Sequence, residues 1–111
     1  MLQIVQVIAA LATIVTGLVS LFWPRAVQGF TGLRAEGGRG ITEIRAVLGG
    51  FFVALGAAPL ALGADAYRML GIAYLAVAAV RAVSIFVDRS GVQSNWISLA
   101  VEVLLGAVLV L

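Results

Sequence analysis

An all-α integral membrane bundle of four antiparallel transmembrane helices is the fold class this sequence predicts. Three observations carry the expectation. Four apolar stretches, Leu2–Phe22, Ile41–Leu62, Met69–Val87 and Ser94–Leu111, fill most of the 111 residues. Each is about as long as the ~20 residues a helix needs to cross a hydrocarbon core. Hydrophobic residues make up 63% of the chain and charged ones 11%, a balance that exposes too much apolar surface in water and is ordinary in lipid. The stretches are separated by segments rich in Gly, Arg and other polar residues, as connections between spans are. A chain of this length makes one transmembrane domain, residues 1–111.

The first span is read as a retained helix and not a cleaved signal, because Met1-Leu2-Gln3 lacks a basic start and the apolar run, 21 residues from Leu2 to Phe22, is longer than that of a typical signal. Pro24 helps to end it. The first connection, Trp23–Gly40, holds five glycines and Arg25, Arg34 and Arg39. Its Gly37-Gly38-Arg39-Gly40 run lacks the Gly-Lys-Ser/Thr and the preceding strand of a phosphate loop, so it reads as a flexible, basic interfacial loop. The second connection, Gly63–Arg68, is a short turn between antiparallel helices. The third, Asp88–Gln93, is another, with Gly91 available for a positive φ.

Composition excludes several function classes. The chain has no Lys, His or Cys. Disulfides, thiol redox chemistry, Cys/His zinc sites, haem ligation by His and every nucleophile–His pair are therefore absent. No cofactor or metal is expected. The net charge of +2 comes from seven Arg and five acids and does not point to nucleic acid.

Arginine placement orients the chain as a multi-pass protein of the cell's inner (plasma) membrane. Connections 1 and 3 carry Arg25, Arg34, Arg39 and Arg89, whereas connection 2 carries only Arg68. The positive-inside rule puts the first set in the cytoplasm and both termini outside. Trp23 and Trp96 fall at the first interface and Tyr67 at the other, as interfacial anchors do.

At ~100° per residue, each span shows a small or polar stripe. The stripes are Gln6, Ala9, Thr13, Gly17, Ser20 on the first span and Glu43, Ala46, Gly50, Ala54, Ala57 on the second. They are Tyr74, Arg81, Ser84, Asp88 on the third and Asn95, Ser98, Glu102, Gly106 on the fourth. These stripes are expected to face one another, with bulky residues toward lipid. Arg81 lies seven residues from Asp88 and Glu102 six from Trp96, so both sit roughly 9–10 Å deep at ~1.5 Å per residue. On adjacent antiparallel helices that predicts an ion pair, since either charge alone costs on the order of 2–3 kcal/mol at such a depth. Glu43 shares the small face of the second span and is expected to complete a Glu43–Arg81–Glu102 triad. Arg45 is expected to snorkel to the interface or to contact Asp88 or Glu102. The half of the bundle nearest connections 1 and 3 is thus expected to hold a charged cavity, with Ser84, Asp88 and Tyr74 around it. It can serve as an ion-pair clamp, as a site where Arg81 holds an anionic or carbonyl group, or as a proton-coupled transport site with Glu43 or Glu102 titrating.

These residues carry a family resemblance. The Glu43-Ile-Arg45 motif followed by Gly49-Gly50, then Arg81, Ser84 and Asp88, then Glu102, resembles an uncharacterised bacterial family of small four-helix membrane proteins within the DoxX-like group. The resemblance spans essentially the whole chain. It implies an up-and-down four-helix membrane bundle of unassigned function. DoxX itself is a membrane subunit of a quinone-reducing oxidoreductase, and other members of the wider group are accessory or assembly factors. Small multidrug resistance transporters share the length and helix number, but their essential acid lies within the first helix, which is uncharged here.

The resulting expectation is a non-enzymatic membrane protein, either an accessory subunit of a larger membrane partner or a binder of a lipid-like or quinone-like ligand. A homodimeric proton-coupled transporter is the alternative reading.

Overall fold

The computed structural model describes residues 1–111. It is all-helical, with α1 Leu2–Phe22, α2 Ala26–Thr31, α3 Gly37–Leu62, α4 Ala64–Val87 and α5 Gln93–Val110. Four of these, α1, α3, α4 and α5, are long and apolar enough to span a membrane. Only 17 of the 111 residues are buried, and Leu, Ile, Val and Phe side chains cover the outside. Such a surface is stable only against lipid.

Each helix boundary has a local cause. The last turn of α1 closes through Trp23 N–H to Val19 O at 2.8 Å, and Pro24 cannot continue it. The start of α3 lies four residues before the apolar run. Gly37 opens it in a left-handed conformation, at φ 65°. Thr42 donates to Gly38 O at 3.0 Å and Arg39 pairs with Glu43 one turn on, bonds that support the helix through Gly38–Gly40 despite their low propensity. Connection 2 is shorter than its sequence implies. Gly63, at φ 88°, makes the turn alone, and its carbonyl accepts from Ala66 and Tyr67 N–H, so α4 begins at Ala64. In connection 3 the positive φ falls on Arg89, at 51°, and not on Gly91. Ser90 N–H reaches back to Ile85 O at 3.0 Å, the long bond of a Schellman helix end, which requires its left-handed residue at position 89.

The helices form two hairpins, α1–α3 and α4–α5. Both close by bringing backbones together at glycine. A Cβ on Gly17 would lie 2.7 Å from Val53 N, and one on Gly56 would lie 2.6 Å from Ala10 O. In the second hairpin a Cβ on Gly71 would lie 2.8 Å from Leu109 Cβ, and one on Gly106 would lie 2.7 Å from Leu75 Cγ. The hairpins meet at the end that carries both termini and Gly63. Ala9, Leu70 and Leu109 form the shared core there, with Tyr67, Tyr74 and Leu105 against it. Gln6 Nε2 donates to Val108 O at 3.1 Å across the junction. The whole is a flattened body of 41 × 31 × 17 Å.

The face of α3 corrects the expectation. Glu43, Ala46, Gly50, Ala54 and Ala57 all point outward, whereas Ile44, Gly49, Gly56 and Pro59 are buried. Residues Ile44–Phe51 are π-helical, yet the five expected residues stay together on one face through that segment. That face is the outward one, because Gly49 and Gly56 on the opposite side make the close approach to Leu21 and Ala10 of α1.

Candidate functional site

The polar site is built on the second hairpin. Arg81 sits on α4, two turns before its end, and Glu102 sits on the facing side of α5. Antiparallel packing at Gly71 and Gly106 sets the register that brings them level. Arg81 Nε lies 3.0 and 2.9 Å from the two Glu102 carboxylate oxygens, and Nη2 lies 2.7 Å from Oε1. Arg81 Nη1 donates to Asn95 Oδ1 at 2.8 Å. Asn95 is itself oriented, because its Nδ2 donates to Ser90 O at 2.9 Å. The Glu102 side chain is 11% exposed and that of Arg81 30%, so the pair is largely shielded and opens on the arginine side.

Arg81 keeps some bonding capacity. A guanidinium carries five N–H donors in a fixed fork. Glu102 takes the Nε donor and one from Nη2, and Asn95 takes one from Nη1. One N–H on each terminal nitrogen is left over. Beside it runs an open groove of about 550 Å³, lined by Arg81, Ser84, Asp88 and Asn95 with Val77 and Val80 deeper in the membrane. Asp88, at the mouth, is exposed and has no ion-pair partner.

The expected residues do not all assemble here. Arg81, Ser84 and Asp88 line the groove, with Glu102 behind Arg81. Glu43 is not part of the site. Its side chain is 55% exposed and pairs with Arg39 on its own helix, so the Glu43–Arg81–Glu102 triad does not form. Arg45 is exposed and contacts neither Glu102 nor Asp88 as an ion pair. Both miss because the inward face of α3 is the one carrying Ile44 and Gly49. Tyr74 lies two turns deeper, at the junction of the hairpins. The Thr13 hydroxyl donates to Ala9 O at 2.9 Å, so its oxygen is free to accept from the Tyr74 hydroxyl at 2.5 Å. Asn95 and Ser90 join the site as well. Asn95 lies on the inward stripe expected of the fourth span, seven residues before Glu102 on one helix face, although the sequence does not single it out as a partner of Arg81. Ser90 carries no such signal.

Chemically, the arrangement offers two N–H donors and a hydroxyl near the membrane interface, an unpartnered carboxylate outside them, and a hydrocarbon-lined floor. This set can hold a polar head and an apolar tail together. No three acidic side chains gather as metal ligands would.

The family model for DUF4345, a domain of unknown function, matches residues 1–111. No curated protein and no solved structure matches the chain. By that whole-length match, this four-span helical protein belongs to the DUF4345 family.

Proposed function

We propose that the protein is a non-enzymatic membrane component that binds an elongated amphipathic molecule, lipid-like or quinone-like, in the α4–α5 groove, and that it serves as an accessory subunit. One observation carries this reading. The Arg81 fork, already set by Glu102 and Asn95, keeps spare donors and lines a groove whose deeper wall is Val77 and Val80. Its volume of about 550 Å³ is within the range of ligand sites. A preset donor beside an apolar wall favours an oxygen acceptor at the end of a hydrocarbon chain.

The DoxX-like, bacterial reading is part of the same proposal, supported by the Glu43-Ile-Arg45, Arg81, Ser84, Asp88 and Glu102 pattern. So is a place in the plasma membrane with connections 1 and 3 in the cytoplasm. Arg25, Arg34, Arg39, Arg45 and Arg89 all lie toward that end and only Arg68 toward the other, which favours this orientation.

Native mass spectrometry of the protein extracted in mild detergent tests the binding role. Wild type is expected to carry a small amphipathic molecule that Val80→Trp, which fills the groove from its exposed wall, does not retain. An empty wild type, or equal retention by the variant, overturns the reading.

A further inference from the structure

We propose that the groove prefers an amphiphile whose head ends in a primary ammonium, with an oxygen acceptor one step inward and a hydrocarbon chain below. This rests on the binding role proposed above and names the class of ligand. The charges around Arg81 are the first support. Its guanidinium is already matched by the Glu102 carboxylate at 2.7 Å. The remaining N–H groups of this groove-lining residue are therefore hydrogen-bond donors on a neutralised pair, which suits an ester or phosphoryl oxygen better than an additional full anion. Asp88, also lining the groove, has no cationic partner. Arg81, Glu102 and Asp88 together carry one net negative charge, so a head group of net negative charge is disfavoured. Arg89 follows Asp88 in sequence but makes no ion pair with it.

The order of groups along α4 is the second support. Asp88 lies at the mouth, Ser84 one turn inward, and the Arg81 backbone two turns inward, or about 10 Å by helix rise, with its guanidinium reaching back to Asn95 at the level of Ser84. Val80 and Val77 continue toward the membrane centre. From the mouth inward, the wall presents a carboxylate, then a hydroxyl and guanidinium N–H groups, then hydrocarbon. The complementary molecule presents ammonium, then oxygen acceptors, then chain. A primary ammonium donates charge-assisted hydrogen bonds to the Asp88 carboxylate, and a trimethylated one has no N–H with which to do so.

The test uses the full chain reconstituted in vesicles of equal parts phosphatidylethanolamine, phosphatidylcholine and phosphatidylglycerol. The lipids that stay bound through detergent purification are then measured. Wild type is expected to enrich phosphatidylethanolamine over the other two by roughly tenfold, the scale of one charge-assisted bond. Asp88→Asn, at an exposed position, is expected to fold normally and to retain as much lipid without distinguishing ethanolamine from choline. Val80→Trp is expected to retain none above background. If wild type retains phosphatidylglycerol best, or retains the three lipids equally, while Val80→Trp still releases them, the head-group inference is overturned and the groove reading stands. If wild type retains no more lipid than Val80→Trp, both are overturned.

Discussion

The two hairpins close by the same device and differ in what they keep between their helices. In α1–α3, Gly17 and Gly56 bring backbone against backbone, and every charged side chain of the two helices lies outside: Arg39 with Glu43, and Arg45 alone. In α4–α5, Gly71 and Gly106 perform the same service, yet Arg81, Glu102 and Asn95 are held in the interface one to two turns from its end. Close packing therefore does not exclude charge. What permits it is register: α4 and α5 place a cation, an anion and an amide level with one another, so each is satisfied where water is scarce. On α3 the side that carries Gly49 and Gly56 packs on α1, and Glu43 lies on the opposite, outward side.

Four measurements of unfolding in mixed micelles break or sharpen that contrast. The largest effect is expected in the glycine-packed hairpin. Gly56→Leu drives a side chain into Ala10 O and should cost about 3 kcal/mol or abolish folding, while Gly50→Leu, on the outward face of the same helix, should be close to neutral. Equal damage from both would show that α1 and α3 do not meet at Gly56. Next comes the charged hairpin. Arg81→Ala and Glu102→Ala should each cost about 2–3 kcal/mol, because each leaves a shielded charge unpaired, and the double variant should cost clearly less than the sum. Additive losses would mean that the two side chains act separately.

A smaller effect tests the junction between the hairpins. Tyr74→Phe removes the bond to Thr13 and should cost about 0.6 kcal/mol, typical for hydrogen bonds between membrane helices, with Thr13→Val adding little on top. The smallest is expected at Glu43. Its pair with Arg39 is exposed and within one helix, so Glu43→Gln should change stability by no more than about 0.5 kcal/mol. A loss as large as that of Glu102→Ala would place Glu43 in the charged site after all.

The Arg81–Glu102 contact is legible in the sequence. Both charges lie at equal depth on neighbouring antiparallel helices, and lipid leaves a buried charge few alternatives to its opposite. The inward face of α1 is legible for a similar reason: Ala9, Thr13, Gly17 and Ser20 repeat with regular helical spacing and are all buried. Three other features are not. The inward face of α3 is the one where Gly49 and Gly56 meet α1, and the small residues Ala46, Gly50, Ala54 and Ala57 mark the opposite face just as regularly. Asn95 becomes a site residue only because Ser90 O holds its amide with the oxygen toward Arg81. The left-handed residue of connection 3 is Arg89 and not a glycine, since the helix end, closing from Ser90 to Ile85, chooses the position.

Hydropathy and chain length suffice for the four spans and the all-helical class, because in lipid every backbone N–H and C=O must bond within its own segment. Charge depth along two spans is enough to pair Arg81 with Glu102. Packing alone decided which side of α3 faces inward, that Glu43 stands outside, and that a groove opens beside Arg81 with donors to spare. Those outcomes depend on which glycines let two helices approach and on the side chains that approach leaves outside, and neither is a property of any single residue.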